Sequence, residues 1–403
     1  VQYHDALRVD NWERLTLYPP APSGLEDHMN AQVWLLRDVS WEPDFPTAAR
    51  TAADMYRIGQ GQEVDGVIAI NQWTLLALVQ GLGSIPSPSG GPPITHRNLF
   101  SKLEQGTDDH GRAYMDLALQ GVLERLNQAV ALPTLLKLAS AIDGTLRKRD
   151  LLLFVDDPEM QASIAERLWD GGLRHDSTDY LYVVDSNVGW SKADRNIERK
   201  VGYQVDLRKE PRARGKLTLG YNNHSGPGAP GCEPQWLNRG TNYSQLKNAC
   251  YWNLWRVYIP QGTRLLGNTP LILPEYSVSA EIGRGHPGED TVSVSSSYNR
   301  TVISGLFALG AGRASNVDLV YELPLNVVRR DGDDIHYQLL IQKQPGTRYR
   351  DVSVELIPPN NYHLSSSSVE PTATADFRAW FSFRVEQDVV LTAQFSRRDN
   401  DSR

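Results

Sequence analysis

The chain has 403 residues, of which 40% are hydrophobic and 22% charged, so it is long enough for two or three domains with proper cores. Its 41 basic and 48 acidic residues give a net charge of -7, which disfavours a broad nucleic-acid-binding surface. No apolar run approaches the roughly 20 residues that a membrane-spanning helix needs.

The first half of the chain alternates predicted helices with short apolar strands. Thr47 can cap an alanine-rich helix, the run VDGVIAI is typical of a strand, and the helix after it ends at a glycine. This helix–strand–helix order indicates an α/β sheet. The predicted helices are 47–58, 72–83, 96–105, 110–129, 133–149 and 158–172, and the predicted strands are 64–70 and 151–157, with 31–38 as a candidate third.

After Asp179 the hydrophobic period changes to two, and turn signals recur about every ten residues without an intervening helix pattern. This pattern predicts an all-β antiparallel sandwich. The basic run RKEPRARGK fits a solvated hairpin tip. The predicted strands are 180–187, 199–208, 216–223, 251–260, 264–267, 291–309, 317–324, 336–344, 352–359, 379–387 and 389–395.

The sequence therefore predicts an α/β domain over residues 1–190 and a β-sandwich domain over residues 191–347. The strands of residues 348–403 are expected either to join the sandwich or to form a small appended sheet.

The two cysteines, Cys232 and Cys250, flank one loop rich in glycine, proline and asparagine. We interpret them as a disulfide, with two unrelated buried thiols as the alternative. Closing a loop of about 19 residues would stabilise the fold by roughly 3 kcal/mol in the chain-entropy model. A disulfide implies an oxidising, extracytoplasmic compartment.

Several long blocks in the same order resemble a bacterial family of unknown function, DUF4012. The blocks are LRDVSWEPDFPTAARTAADMY, VDGVIAINQWTLLALVQGLG, LLLFVDDPEMQASIAERLWDGGLR and DYLYVVDSNVGWSKADRNIERKVGYQVDL, followed by RVYIPQGTRLL and YQLLIQKQPGT. The resemblance extends from about residue 30 to residue 347. About the first 85 residues are also distantly similar to the LytR-CpsA-Psr glycopolymer transferases, through the helix, the VDGVIAI strand and the glycine-ended helix.

The resemblance implies that the α/β domain is incomplete at its N-terminus. The family typically has an N-terminal membrane anchor and a segment with an RPTGGF-like motif, and neither occurs in this sequence, which starts at Val1. Three short strands are few for five or more helices, so we expect an apolar sheet face or a strand edge to be left open. A cleaved N-terminal fragment or a neighbouring subunit would then cover it.

The stretch RDVSWEPDFPTAAR, residues 37–50, has two interpretations. In the catalytic one, Arg37, Asp38, Asp44 and Arg50 line a polar cleft, where the carboxylates hold a divalent cation and the guanidiniums grip phosphate. In the structural one, which we favour, Asp44 or Thr47 caps the following helix and Arg37 pairs with Asp38.

Three further features have a structural and a functional interpretation. Asp156 is a candidate cation ligand beside Asp38 and Asp44, at a strand end where the next residue caps a helix. The run DSNVGWSKAD (185–194) mimics the start of a calcium loop but lacks its glycine and final glutamate, so we predict a polar hinge between domains. Trp236, Trp252 and Trp255 are candidate glycan-binding residues, but alternating tryptophan is more often core.

These observations predict an extracytoplasmic bacterial cell-envelope or surface protein with a non-catalytic structural, binding or assembly role, whose partners include envelope glycans. The alternative is a phosphotransferase that acts on a lipid-linked glycopolymer, and the sequence does not decide whether the protein is an enzyme. No cofactor is expected, apart from a divalent cation such as Mg²⁺ under that alternative. The nine histidines form no zinc motif, and nucleotide-binding and GxSxG motifs are absent.

Overall fold

A computed structural model describes residues 9–87, 91–110, 113–128, 131–174, 178–209, 211–226, 231–238, 243–375 and 377–398. The chain divides into two units, one formed by Val1–Glu26 with Ala31–Leu173 and the other by Asp27–Asn30 with Arg174–Arg403. The main boundary therefore lies at Leu173 rather than at residue 190. The reason is that the strand Asp179–Asn187, which the prediction placed in the first domain, pairs with Asp334–Gln342 and Tyr251–Pro260 of the second unit.

All six predicted helices are present, with ends that differ by a few residues. Capping side chains fix several of these ends, since Asn71 accepts hydrogen bonds from the Trp73 and Thr74 amides and Asp157 accepts one from the Met160 amide. The helices of this region are α1 (Ser23–Met29), α2 (Phe45–Gln60), α3 (Gln72–Leu82), α4 (Leu99–His110), α5 (Ala113–Asn127), α6 (Leu132–Arg147) and α7 (Pro158–Glu166).

Two strands of the first unit, β1 (Gly66–Ile70) and β2 (Leu151–Val155), form a two-stranded antiparallel sheet. The expected parallel or mixed α/β sheet is therefore not observed among the described residues. The candidate strand at 31–38 was also wrong, since Leu36–Trp41 is a 3₁₀ helix and Val33 forms only one bridge, with Pro20. Its apolar residues pack against Met55 and Tyr18 instead of entering a sheet.

The core of the first unit lies mainly between helices. Val79 of α3, Leu103 of α4, Val122 of α5 and Leu138 of α6 belong to one buried cluster. Because each helix places apolar residues three or four positions apart, one face of each enters this cluster. Within the described ranges, none of the helices combines the length and the apolar composition that spanning a bilayer requires.

The second unit is a β-sandwich of two sheets. Its strands are β3 (Asp179–Asn187), β4 (Ile197–Asp206), β5 (Arg214–Asn223), β6 (Tyr251–Pro260), β7 (Arg264–Asn268), β8 (Ser293–Ser297), β9 (Arg300–Leu309), β10 (Ala314–Glu322), β11 (Val328–Asp331), β12 (Asp334–Gln342), β13 (Arg350–Ile357), β14 (Tyr362–Ser367), β15 (Ala373–Ala375), β16 (Arg378–Val385) and β17 (Val389–Arg397). One sheet has seven strands in the order β15-β16-β13-β4-β5-β10-β7. The other has eight strands: seven in the order β14-β17-β12-β3-β6-β9-β8, and β11, which pairs with β12.

The sandwich differs from the expected antiparallel one in two strand pairs, because β3 pairs with β12 and β4 with β13 in parallel. The chain crosses from one sheet to the other between β3 and β4, and again between β12 and β13, so the two crossings lie side by side. The strands after residue 348 belong to both sheets of the sandwich rather than to an appended sheet. The predicted strand 291–309 is a hairpin, with positive φ at Tyr298 and Asn299 in its turn.

Alternating residues of both sheets fill the core. Trp252 and Trp255 on β6 are completely buried, so they are core residues rather than exposed glycan-binding platforms. Apart from Glu210, which lies outside the described residues, the run RKEPRARGK lies at the β4–β5 hairpin, as predicted.

The predicted disulfide is confirmed. Cys232 and Cys250 are bonded, with 5.1 Å between their Cα atoms. Cys250 is completely buried just before β6, so the bond fixes the segment between β5 and β6 to the core.

We predict that reducing this disulfide lowers the free energy of unfolding by about 3 kcal/mol, because the unfolded chain regains the entropy of an open loop. Urea unfolding with and without dithiothreitol measures the change. A Cys232→Ser/Cys250→Ser double variant should show the lower stability and no response to reductant. Two titratable thiols in the folded, unreduced protein would contradict the bond.

Candidate functional site

The candidate catalytic residues of the first unit serve separate structural roles. Asp44 caps α2: its Oδ2 accepts hydrogen bonds from the Thr47 amide at 3.1 Å and from the Thr47 hydroxyl at 2.6 Å. Its Oδ1 accepts the Leu173 amide at 3.0 Å. Both carboxylate oxygens of Asp44 are thus used by the fold, in agreement with the capping interpretation.

The other members of the proposed cleft point to different neighbours. The Arg50 guanidinium lies 5.2 Å from the ring centre of Phe154, which is a cation–π contact. Asp156 is exposed after β2, where its amide donates to the Asp65 carbonyl. No group of three His, Cys, Asp or Glu side chains suited to a metal ion occurs in the part of the chain that the structure describes.

Arg37 and Asp38 form the expected ion pair, with 3.5 Å between Nε and Oδ2. Burial raises the pKa of Asp38, the Arg37 charge opposes this, and Asp10 adds to it. Asp10 is a buried carboxylate that the sequence did not single out; its Oδ1 accepts the Leu36 amide at 3.0 Å. One arginine therefore faces two carboxylates whose pKa values are both raised by burial.

The most extensive polar network is in the second unit and centres on Asp185 of β3. Its Oδ2 binds Nε of Arg199 at 3.0 Å and also Nη2 of Arg350. Its Oδ1 accepts hydrogen bonds from the Tyr221 hydroxyl at 2.7 Å and the Asn253 amide group at 2.8 Å. Four side chains from four other strands thus meet one carboxylate.

Burial alone would raise the pKa of Asp185, but the two guanidiniums and the neutral donors hold this pKa below its usual value. Arg199 continues the network to the Asp194 carboxylate at 2.8 Å and the Tyr251 hydroxyl at 2.9 Å. The predicted hinge at 185–194 was therefore wrong, because its first residue is an anchor inside the sandwich.

A second buried carboxylate, Asp179, faces the core from the start of β3. Its Oδ2 accepts hydrogen bonds from the hydroxyls of Tyr203, at 2.7 Å, and Tyr337, at 2.6 Å. The Arg300 guanidinium lies over the ring of Tyr180, the residue after Asp179, with 3.9 Å between its central carbon and the ring centre. Burial raises the pKa of Asp179 to about 6, against the stabilising effect of these hydrogen bonds and of the Arg300 charge.

The sequence contained a signal for both aspartates. In DYLYVVD they stand at either end of an otherwise apolar strand, six residues apart and hence on the same face. A strand that buries its apolar residues on that face must also bury both carboxylates, which then need partners.

An open polar groove of about 400 Å³ lies on the face of the eight-stranded sheet that points away from the core. His336 and Gln338 of β12 alternate with the buried Ile335, Tyr337 and Leu339, so they face outwards. The polar side chains that line the groove include Asn326, Arg329, His336, Gln338, Thr392 and Gln394.

Residues 10–107 match the family model described as protein of unknown function (DUF4012). The match covers 98 of the 403 residues and supports the resemblance seen in the sequence. The similarity to LytR-CpsA-Psr transferases stays a prediction, and no curated protein matches the chain.

Solved structures show limited likeness. An M1 zinc metallopeptidase from Deinococcus radiodurans has 13% identity and a TM-score of 0.26, over 50% of this chain and 43% of that chain. A putative nutrient binding protein from Legionella pneumophila has 7% identity and a TM-score of 0.28, over 53% and 70%. The folded domain of LppM from Mycobacterium tuberculosis has 10% identity and a TM-score of 0.21, over 51% and 94%. TM-scores of this size assign no activity to the chain.

We predict that Asp44→Ala lowers the free energy of unfolding by about 1 kcal/mol, because α2 loses its cap. Asp44→Asn should retain the cap, because asparagine also caps helices, but its single acceptor oxygen loses the bond from the Leu173 amide. Its stability should therefore lie between those of the wild-type protein and Asp44→Ala. Thermal melts of the three proteins with and without Mg²⁺ measure both effects. A wild-type melting temperature that rises with Mg²⁺, and no longer does so in Asp44→Ala, would favour a metal site instead.

We also predict a pH-dependent contribution from Asp179. Its folded-state pKa of about 6 exceeds the usual aspartate pKa of 3.8, so between these values the folded protein binds a proton that the unfolded chain releases. Compared with Asp179→Asn, the wild-type protein should therefore lose about 2 kcal/mol of stability as the pH rises from about 4 to 6. Urea unfolding over this range measures the difference, and a constant difference would contradict the raised pKa.

Proposed function

We propose that the protein is a non-catalytic, extracytoplasmic protein of the bacterial cell envelope or surface, and that its sandwich binds acidic envelope glycans. The polar groove of the eight-stranded sheet is the single observation that carries this proposal. It is open, most of its lining residues lie on paired strands, and its volume is in the range of small-ligand sites.

The chemistry of the groove fits sugars. Amide side chains such as Asn326 and Gln338 both donate and accept hydrogen bonds, as sugar hydroxyls do. Arg329, whose side chain is 74% exposed, adds a cationic group, and His336 adds a ring that can donate or accept a hydrogen bond. Asp331 lies 3.8 Å from Arg329 and neutralises it only partly in water. A carboxylate or phosphate on the glycan would therefore find a partner.

The disulfide supports an oxidising compartment, since such bonds are rare in proteins of reducing ones. The buried polar groups of the sandwich support a non-catalytic role, because they bind one another. The side chains of Asp185, Arg199 and Arg350 satisfy one another inside the sandwich. The Arg199 and Arg350 side chains are each 12% exposed and that of Asp185 is 2% exposed, which leaves little surface for a substrate.

No observation favours the phosphotransferase alternative over binding. Arg37 pairs with Asp38, Asp44 caps a helix, and Arg50 lies on Phe154, so these groups do not converge on one cleft. A transfer reaction would need convergent cations or a metal to stabilise the charge on the transferred phosphate.

The proposal is tested by calorimetric titration with two probes, tetragalacturonate and the matching neutral tetragalactoside. Wild-type protein should prefer the acidic probe. An Arg329→Ala/Gln338→Ala variant should bind it at least about tenfold more weakly, because charge-assisted hydrogen bonds are lost. Arg264→Ala is the matched control, since Arg264 is an exposed, ion-paired arginine of the other sheet.

Equal affinity in the groove variant and the control, or no binding of either probe at millimolar concentration, would contradict the groove. Mg²⁺-dependent release of polyprenyl phosphate from a lipid-linked oligosaccharide would establish the transferase alternative. Fractionation of the full-length protein tests the location, and recovery in the cytoplasm with free thiols would contradict it.

A further inference from the structure

Strand β1 has an unpaired backbone edge. The Asn71 amide donates to the Asp150 carbonyl at 3.1 Å, and the Asp156 amide donates to the Asp65 carbonyl at 2.9 Å. In an antiparallel pair, bonded and non-bonded residues alternate, so the odd-numbered residues of β1 bond to β2. The amides and carbonyls of the even-numbered residues, centred on Ile68, therefore point away from β2.

The two outer edges of this small sheet differ. On the β2 side, the Leu153 amide donates to the Trp169 carbonyl at 3.0 Å, and the Val155 amide donates to Oε1 of Gln161, also at 3.0 Å. On the β1 side, no hydrogen bond of the outward amides is found within the described ranges. An edge without cover is unusual, because proteins normally protect such edges.

The same edge is apolar. The Ile68 side chain is 67% exposed and that of Ile70 is 44% exposed. Ile68 and Ile70 lie on the same face of the sheet. Their cross-strand neighbours on that face, Leu153 and Leu151 of β2, are only partly buried. A strand added beside β1 would bury this apolar surface and pair the outward backbone groups at the same time.

Four exposed carboxylates surround the start of β1. Asp65 and Asp156 are neighbours, since the backbone bond between them closes the sheet, and Glu63 and Asp157 flank them. None of the four forms an ion pair with a basic residue in the described part of the chain. Asp157 also caps α7, so the helix N-terminus compensates its charge in part. The remaining three carboxylates give this end of the edge a negative charge without a cationic partner.

We propose that β1 binds an extended segment of another polypeptide, with apolar residues at alternate positions and basic residues at the end that lies beside Asp65 and Asp156. Antiparallel pairs are the commoner kind, which places the basic residues at the C-terminal end of the segment. This binding is independent of the glycan groove.

A second copy of the chain fits the edge less well. Two β1 strands can pair about Ile68 with matched backbone groups, but this arrangement brings no cation to the carboxylates. The net charge of -7 further opposes self-association. The charge of the edge therefore favours a partner with a basic end over a homodimer.

The test uses a labelled octapeptide of alternating threonine and valine that ends in two lysines, and a control peptide that ends in two glutamates. Fluorescence anisotropy should show binding of the lysine peptide to the wild-type protein, at least about tenfold tighter than binding of the control. The affinity should fall with salt, and Asp156→Asn should reduce both the affinity and its salt dependence.

Two variants at one position separate backbone pairing from side-chain contact. Ile68→Pro removes an outward amide that β2 does not use, and proline is tolerated at such edge positions. It should weaken binding of the lysine peptide at least about tenfold. Ile68→Thr keeps the amide and should weaken binding less. Thermal melts show whether each variant is folded, and Ile68→Thr and Asp156→Asn test the proposal if Ile68→Pro is not.

Equal affinity of the wild-type protein for both peptides, or no binding at millimolar concentration, would overturn the proposal. If Asp156→Asn leaves the affinity for the lysine peptide unchanged, the carboxylates do not bind the basic end of the segment, and that part of the proposal is wrong. A wild-type dimer in sedimentation that Ile68→Thr weakens would show that the occupant is a second copy instead.

Discussion

The second unit depends on the ionised carboxylate of Asp185. An anion in an apolar core is stable only when opposite charges and hydrogen-bond donors surround it, and here Arg199, Arg350, Tyr221 and Asn253 provide them. Because the two arginines stand on β4 and β13, which are parallel neighbours in the opposite sheet, this interaction fixes which strands face each other across the core. Removal of either arginine would leave an incompletely compensated buried charge, which is far more damaging than loss of a surface pair.

Local patterns in the sequence predicted local structure well. Period-two alternation located most strands of the sandwich, and the capping residues Asp44 and Asp157 marked helix starts, because capping and alternation are properties of short segments. Strand pairing was not predictable in the same way. The antiparallel pairing of β1 with β2, and the parallel pairs of the sandwich, depend on contacts between distant segments.

The candidate site shows the same limit. The sequence placed Arg37, Asp38, Asp44 and Arg50 close together in the chain, but a 3₁₀ helix and the start of α2 direct them to different neighbours. Their proximity in sequence therefore indicated local structure and not a common cleft. The polar groove could not be found from sequence, because it joins β12 and β17 with β11 and the segment before it. The small number of predicted strands led us to expect an open strand edge or sheet face in the first unit. The structure identifies the strand as β1.

The parallel pairing of β3 has a consequence for the order in which the sandwich forms during synthesis. Asp179 bonds to Tyr337 across 158 residues, and Asp185 bonds to Arg350 across 165. When β6 has been made, Asp179 still lacks Tyr337 and Asp185 still lacks Arg350. An early association of β3 with β6 would therefore bury both carboxylates with part of their partners missing. The missing partners therefore oppose early burial of β3, and they favour it once β12 and β13 have been made. Contacts of such long range also make folding slow.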